Sequence, residues 1–468
     1  MDFRLARSKE KGMKRIKIIL LIISILIVNY SLFAQYAITL GSQHDDVLQS
    51  ITGTRDGGLI IVGYSLRTIS EPISSPLRVI KLTPAGEQEW EFNLAYPFAP
   101  IMDETIAKDL GFAIQQTQDD GYIIVGATNN YGQDSDVLVL KLNSEGEMEW
   151  SRIYGGERDD FAHSVQETEE GGLILAGITW SFGSGGQDIW ILKLNYLGDI
   201  EWEKAYGGKK DDYASFIHAD KNNNYLVIGS TSSFGEGEND AWIFKLDPVG
   251  EIKWQKTYGT EANEIAYVAS ISNDDFLVIG ETDSVIEGTT DAWAFKLDSD
   301  GEVQWQKSYG GSENDRFHSI KKINNDEFIV SGDLQENGNY DFLIMKISDE
   351  GNIIWKKAFG IEESNEHSTS LCLMSDGFIA AAGTTNHMGN YNNDMLILKL
   401  NDMGNIDYCP YLKEVNILIS EIHAIPIDSE ALVINTNAYC VERDFLRVPA
   451  LDITLLCPQK KKGKGPIR

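Results

Sequence analysis

The feature that most constrains the fold is a sequence unit of about 50 residues that occurs seven times along the 468-residue chain. Six units contain a glycine, three further residues and a tryptophan, and Tyr408 takes the tryptophan position of the seventh. The six tryptophans are Trp90, Trp150, Trp202, Trp254, Trp305 and Trp355. Length alone would suggest about three domains, but a unit repeated this often predicts one closed or stacked array of equivalent elements.

Within a unit the pattern predicts only β-strands. The third unit contains four short runs rich in β-branched and aromatic residues, separated by Gly, Asn or Asp, and no stretch has a sustained 3.6-residue period. The runs are 161–167, 173–179, 188–194 and 200–206. Four strands repeated seven times predict an all-β, seven-bladed β-propeller over residues 35–410, with strands A to D running from the central channel outward.

Ring closure and the C-terminus leave two alternatives. The segment Tyr36–Gly41 resembles the end of a strand D and is predicted to complete the last blade. Residues 411–458 are then an accessory β segment, forming a cap, or a divergent eighth blade. Seven blades with an accessory segment is the favoured interpretation. Residues 459–468 are basic and predicted to be a flexible tail.

The N-terminus predicts export. Basic residues at 14–17 precede the apolar run 18–28, and Ala34 provides a small residue before Gln35. This is the pattern of a secretory signal peptide over residues 1–34, and eleven apolar residues are short for a membrane span, although an uncleaved anchor is the alternative. The protein is therefore expected to be secreted, extracellular or at the cell surface, with the periplasm as another option. An oxidising compartment suits one disulfide among Cys409, Cys440 and Cys457, whereas Cys372 is predicted to be buried.

The charge excludes nucleic acid as the main partner. The chain has 40 basic and 71 acidic residues, a net charge of −31. Without residues 1–34 and 460–468, which hold twelve basic and two acidic side chains, 28 basic and 69 acidic residues remain, and the charge becomes −41. Such a body has no basic surface to neutralise phosphates.

The repeat also resembles a known group of proteins. Units such as Trp202-Glu-Lys-Ala-Tyr-Gly-Gly are similar to the W-x-K-x-Y/F-G-G repeats of secreted bacterial and archaeal β-propeller proteins. The stretch from Lys296 to Trp305 is distantly similar to the tryptophan-docking repeat of quinoprotein propellers, but it lacks one residue and the usual Thr before Gly, and the chain has no vicinal cysteine pair. The resemblance implies the fold, and it leaves pyrroloquinoline quinone (PQQ) disfavoured as a cofactor.

Candidate site residues lie where strand D leads into strand A. An acid precedes strand A in every unit, and the residue three positions later varies between units. The acids are expected either to cap the turn or to form a ring of carboxylates that binds a cation, Ca²⁺ included, or a basic partner. Variation on a channel-lining strand is what a ligand pocket needs. The candidates are Asp46, Asp160, His163, Trp180, Asp212, Tyr267, Asp315 and His318.

These observations predict a non-catalytic binding scaffold that uses its acidic rim. The sequence has no G-x-S-x-G, H-E-x-x-H or Walker motif, so no catalytic residue is assigned. The expected partner is an extracellular protein or a glycan, and the protein is expected to be a monomer. The alternatives are a carbohydrate-active enzyme, for which Trp180 and an acidic pair are the place to look, and a PQQ-type quinoprotein.

Overall fold

The computed structural model describes most of the chain from Gln35 to Cys457. The described residues are 35–66, 76–94, 108–129, 134–272, 275–283, 288–387, 392–415, 417–422, 424–428, 432–435, 439–441 and 452–457. The predicted signal peptide and basic tail lie outside them. In these residues no helix is long and apolar enough to cross a membrane.

The structure confirms the all-β, seven-bladed propeller, and strands A to D of each blade form one antiparallel sheet. The first strand of the chain is β1 (Tyr36–Gly41). Blades 1 and 2 contain β2 (Asp45–Gly53), β3 (Leu59–Leu66), β4 (Leu77–Leu82), β5 (Gln88–Leu94), β6 (Asp109–Gln116), β7 (Tyr122–Thr128), β8 (Asp136–Leu142) and β9 (Met148–Gly155). Blades 3 and 4 contain β10 (Asp160–Glu167), β11 (Leu173–Thr179), β12 (Asp188–Leu194), β13 (Ile200–Gly207), β14 (Asp212–Ala219), β15 (Tyr225–Thr231), β16 (Asp240–Leu246) and β17 (Ile252–Gly259). Blades 5 and 6 contain β18 (Glu264–Ser272), β19 (Asp275–Thr282), β20 (Asp291–Leu297), β21 (Val303–Gly310), β22 (Asp315–Lys322), β23 (Glu327–Glu336), β24 (Asn339–Ser348) and β25 (Ile353–Phe359). Blade 7 contains β26 (Glu366–Leu373), β27 (Ile379–Thr385) and β28 (Asp394–Leu400).

The ring closes through the N-terminus. Strand β1 pairs antiparallel with β28 and becomes strand D of blade 7, as the sequence predicted. Tyr36 pairs with Lys399, just as Trp202 pairs with Lys193 in blade 3. Tyr36 therefore takes the tryptophan position of the seventh unit, and the assignment of Tyr408 to that position is wrong. Because the N-terminus supplies this strand, the chain after Leu400 is free to leave the blade, and Tyr408 lies 62% exposed in a turn.

The repeated motif holds neighbouring blades together. Each strand-D tryptophan ring lies against the glycine of the next blade's C–D turn; at Gly250, for example, an added Cβ would come within 3.0 Å of the Trp202 ring. That glycine has φ +78°, a left-handed conformation that favours Gly. The Tyr206 hydroxyl donates a 2.7 Å hydrogen bond to the Gly250 carbonyl from the same strand. The Trp and Tyr of the motif therefore both contact one turn of the adjacent blade, which explains why they recur.

The C-terminal segment forms neither a cap nor an eighth blade, because it runs around the outside of the ring. We call residues 411–457 the belt. Its described residues form six short strands: β29 (Leu412–Lys413), β30 (Leu418–Glu421), β31 (Ile425–Asp428), β32 (Leu432–Asn435), β33 (Tyr439–Val441) and β34 (Asp452–Leu455). They pair antiparallel, in that order, with strand D of blades 6, 5, 4, 3, 2 and 7.

The belt advances by one blade every seven residues. The last glycine of strand D in blades 5, 4, 3 and 2 pairs in turn with Leu418, Ile425, Leu432 and Tyr439. The connecting residues Ile422 and Ala424 are buried and pack with the core around Tyr258 of blade 4. A disulfide joins Cys457, the last residue of the belt, to Cys409, two residues before the belt begins. The belt thus covers strand edges that would otherwise offer unpaired backbone groups.

Candidate functional site

The acid at the start of strand A is a structural element in the described blades. We call these residues the cap acids, and each is at most 1% exposed: Asp46, Asp109, Asp160, Asp212, Glu264, Asp315 and Glu366. In blade 4, Asp212 accepts hydrogen bonds of 2.8 Å from the Gly208 amide and from Ser233, and a further one from Thr231. In blade 3, Asp160 accepts the equivalent bonds from Gly156 and Ser181.

Burial perturbs these carboxyl groups. It raises the pKa of Asp160 and Asp212 even though hydrogen bonds oppose the shift, and it raises the pKa of Asp315 to about 7. Asp315 also faces Asp291, the strand-C aspartate of the preceding blade, whose charge adds to the effect. The cap acids present almost no surface to solvent. We therefore assign a structural role in the propeller frame to Asp46, Asp160, Asp212 and Asp315. A ligand would contact the residues beside them.

Two positions next to each cap acid face the channel mouth. In every blade the first and third residues after the cap acid are half-buried, while the second is buried. The third residue lies at a β-bulge in every blade, where the pairing of strands A and B shifts register: Gln49, Phe112, His163, Ser215, Tyr267, His318 and Thr369. A bulge redirects a side chain without changing the rest of the sheet. The sequence therefore varies at the position where the fold allows it.

Blades 6 and 7 bring two histidines onto one carboxylate. Asp333, near the end of β23, is 5% exposed, and its Oδ2 lies 3.3 Å from Nε2 of His318 and 2.9 Å from Nδ1 of His367. Its Oδ1 accepts a 2.8 Å hydrogen bond from the Ser368 amide. Burial would raise the pKa of Asp333, but the charges of the two histidines and their hydrogen bonds hold it well below its usual range. Asp333 is therefore an anion that orients both imidazoles.

Blades 5 and 6 repeat this arrangement one blade earlier. Glu281 lies at the position equivalent to Asp333, and its Oε2 is 2.8 Å from Nε of Arg316. Tyr267, the bulge residue of blade 5, hydrogen-bonds to Glu281, and burial together with the Glu281 charge raises its pKa. The Tyr267 ring also lies 5.7 Å from the His318 ring. The two arrangements thus form one continuous group.

We call this group the charged mouth cluster; it comprises Tyr267, Glu281, Arg316, His318, Asp333 and His367. In each half, a strand-B carboxylate lies between the bulge residue of its own blade and the first residue after the cap acid of the next blade. The hairpin of blade 6 adds a neighbour, because its strands extend to a two-residue Asn337-Gly338 turn with positive φ at both residues. This extension places the Tyr340 ring 4.8 Å from the His367 ring.

The opposite side of the mouth is aromatic. The His163 ring lies 5.0 Å from Phe112, in blade 2, and 6.4 Å from Phe161, its neighbour on strand A. Phe161 in turn contacts Trp180 edge to face at 6.0 Å. Burial lowers the pKa of His163 to about 4, so its ring is neutral at pH 7. We call these four residues the aromatic mouth cluster.

The structure separates the sequence candidates into three environments. Asp46, Asp160, Asp212 and Asp315 are buried caps, His163 and Trp180 belong to the aromatic mouth cluster, and Tyr267 and His318 belong to the charged one. Sequence reasoning missed four members of the charged cluster, namely Glu281, Arg316, Asp333 and His367. A signal was available for two of them: the residue that follows the last glycine of strand B is uncharged in the other blades, but Glu281 and Asp333 are acidic.

Comparisons with known proteins assign the chain to no family. No protein-family description matches the chain, and no curated protein matches it. Among solved structures, the polysaccharide lyase Uly1 is 8% identical, with a TM-score of 0.48 over 79% of this chain and 99% of that one. Sqt1 from Chaetomium thermophilum is 9% identical (TM-score 0.40; 79% and 98%), and Drosophila Plexin A, in complex with Semaphorin 1b, is 8% identical (TM-score 0.38; 76% and 88%). At this level of similarity no activity or partner is carried over to this chain.

Proposed function

We propose that this protein is an exported, non-catalytic binding propeller that takes its ligand at the channel mouth, against the charged mouth cluster. The observation that carries the proposal is that carboxylates, Glu281 and Asp333, fill one strand-B position in blades 5 and 6 and pair with side chains of the next blade, whereas the described residues at that position in the other blades are not carboxylates. The strand-B position of Glu281 and Asp333 is filled in the other blades by Tyr64, Ala127, Ile178, Ser230 and Thr384. Residues with a structural role recur in every blade of a propeller, as the cap acids do. Residues of a ligand site need to be present in only some of the blades.

Burying charge without a structural need also points to function. A buried carboxylate is costly unless it is paired, and a well-packed apolar pair of similar size is often as stable. Ala127 and Ile178 show that this fold accepts an apolar residue at the same position. The charges of blades 5 to 7 are therefore not required by the frame.

The proposal also includes where the protein is located and which class of partner it binds. The predicted signal peptide, the disulfide and the resemblance to secreted W-x-K-x-Y/F-G-G propellers support a location outside the cytoplasm. The partner is a glycan or an extracellular protein. Ca²⁺ and PQQ are the cofactors that the sequence raised as alternatives. Among the residues that the structure describes, no three His, Cys, Asp or Glu side chains are placed to hold a metal ion.

One observation favours a second candidate, a carbohydrate-active enzyme at the same site. Asp333 orients His318 and His367 as a carboxylate orients a catalytic base, and the adjacent Tyr267 offers a phenol whose pKa is raised further above neutral pH by burial. An oriented base beside a protonated acid is what general acid–base catalysis requires.

A thermal-shift screen tests the proposal. The purified protein is melted against a panel of glycans and divalent cations, because a ligand that binds only the native state raises the melting temperature with its concentration. The variant His367→Ala should abolish the shift, whereas Gln49→Ala, at a half-buried channel position in blade 1, should retain it. A ligand that stabilises both variants equally would refute the location of the site, and turnover of a glycan that is lost in His367→Ala would favour the enzyme.

A further inference from the structure

The charged mouth cluster presents its guanidinium and imidazole side chains outward and its carboxylates inward. The side chains of His367, Arg316 and His318 are 42%, 39% and 22% exposed, whereas those of Glu281 and Asp333 are 12% and 7% exposed. Each carboxylate lies beneath the side chains that pair with it. A ligand that approaches from the channel mouth therefore meets the Arg316 guanidinium, which can only donate hydrogen bonds, before it meets either carboxylate.

Arg316 has the geometry for an anionic acceptor. Its ion pair with Glu281 engages Nε, and the two Nη groups remain as a planar fork on a partly exposed side chain. Such a fork matches the two oxygens of a carboxylate or sulfate and forms the strongest class of hydrogen bond in proteins. Residues 35–459 as a whole carry a charge of −41 by sequence, which repels anions, so an anionic ligand needs a local cation such as the Arg316 guanidinium to bind.

The other side of the mouth selects among anionic ligands. Phe112, Phe161 and Trp180 offer half-buried aromatic rings, and His163 between them carries no charge at pH 7. Aromatic rings bind the apolar faces of sugar rings, whereas an acidic peptide has no such face to offer. The combination of donors on blades 5–7 and aromatic rings on blades 2–3 suits a sugar chain that carries acidic groups.

We propose that the charged mouth cluster binds the carboxylate or sulfate group of an acidic glycan, with Arg316 as the residue that sets the specificity. The inference rests on the proposed function and names its ligand class. It predicts that the acidic group, and not the sugar alone, determines binding.

Calorimetric titration with four probes tests it: oligogalacturonate, a sulfated galacto-oligosaccharide, the neutral galacto-oligosaccharide of equal length, and triglutamate. We expect at least one acidic sugar to bind, and which one binds tells carboxylate from sulfate. Arg316→Gln should weaken that binding at least about 10-fold, as expected for loss of a charge-assisted hydrogen bond. Arg316→Lys, which keeps the charge but not the fork, should lose most of it too, while Gln49→Ala should bind normally.

Other outcomes overturn the inference. Equal binding of the neutral and acidic sugars, unchanged affinity in Arg316→Gln, or binding of triglutamate but of neither acidic sugar would each refute it. The failure is distinguishable from that of the proposed function. If a neutral ligand loses affinity in His367→Ala, the mouth is still the binding site and only the ligand class is wrong; if no ligand responds to His367→Ala, both are wrong. Melting curves of each variant without ligand show whether it is folded.

Discussion

The belt makes a strong prediction about stability, because one covalent bond closes a loop that passes around the propeller. The disulfide joins residues 48 positions apart. In the chain-entropy account, closing a loop of this size removes enough freedom from the unfolded chain to stabilise the native state by about 4 kcal/mol. The belt strands contain only two to four residues each, so they hold their places through this closure and through buried connecting residues such as Val415 and Ile417.

Three variants measure the effect: Cys409→Ser, Cys457→Ala and the double substitution. Each single variant opens the same loop, so each should lower the free energy of unfolding by about 4 kcal/mol. The double variant should lose little more, because two changes that break one bond are not additive. Denaturant titration gives the free energies, and limited proteolysis followed by mass spectrometry shows whether the first cleavages move into residues 411–457. The wild type after reduction with dithiothreitol is the matched control and should behave like the variants.

A small or additive loss of stability would refute the role of loop closure. If the single variants lose less than about 1 kcal/mol, or if their losses add in the double variant, then the belt is held by its strand pairing and the loop closure contributes little. If the proteolytic pattern is unchanged as well, then the belt does not depend on the disulfide at all.

Other predictions test the frame and the mouth. The adjacent glycines Gly310 and Gly311 form a matched pair. Gly310→Ala should lower the free energy of unfolding by at least about 2 kcal/mol because its Cβ would lie 1.9 Å from Oδ1 of Asp291, whereas Gly311→Ala should change it by less than about 0.5 kcal/mol because the nearest atom to its Cβ is 3.8 Å away. Equal losses by denaturant titration would contradict this prediction. Burial raises the pKa of Asp315 to about 7 and that of four strand-C aspartates to about 6, above the roughly 3.9 of an unfolded aspartate. These four are Asp188, Asp240, Asp291 and Asp394. The native state therefore holds protons that the unfolded chain releases. As the pH is lowered from 8 to 5, the free energy of unfolding should increase by at least about 1.4 kcal/mol, which is the effect of a one-unit pKa shift in a single group. Melting temperatures that stay constant or fall as the pH is lowered would refute this. Asp333→Asn should leave His318 and His367 without their shared anion and lower the free energy of unfolding by about 1–3 kcal/mol; an unchanged value by denaturant titration would contradict the pairing.

Only part of the charged mouth cluster could be predicted from the sequence. The bulge position was recognised because it varies in a regular frame, and Tyr267 and His318 were found that way. His367 was missed because it stands one residue, not three, after its cap acid, and it meets His318 only because blade 7 packs beside blade 6. His163 and His318 occupy equivalent positions in the sequence, yet one lies among aromatic rings and the other on a carboxylate.

The sequence by itself determined the repeat, the strands of each blade and the N-terminal ring closure, because these depend on local patterns that recur seven times and on turns of a few residues. Only the tertiary structure decided the belt and the charged mouth cluster. The sequence predicted β structure in residues 411–458, but it could not indicate the partners of these strands. The partners are distant in the chain: Leu412 pairs with Phe359, and Asp452 pairs with Gly41. The mouth cluster spans residues 267 to 367, whose side chains meet only when three blades close around one channel.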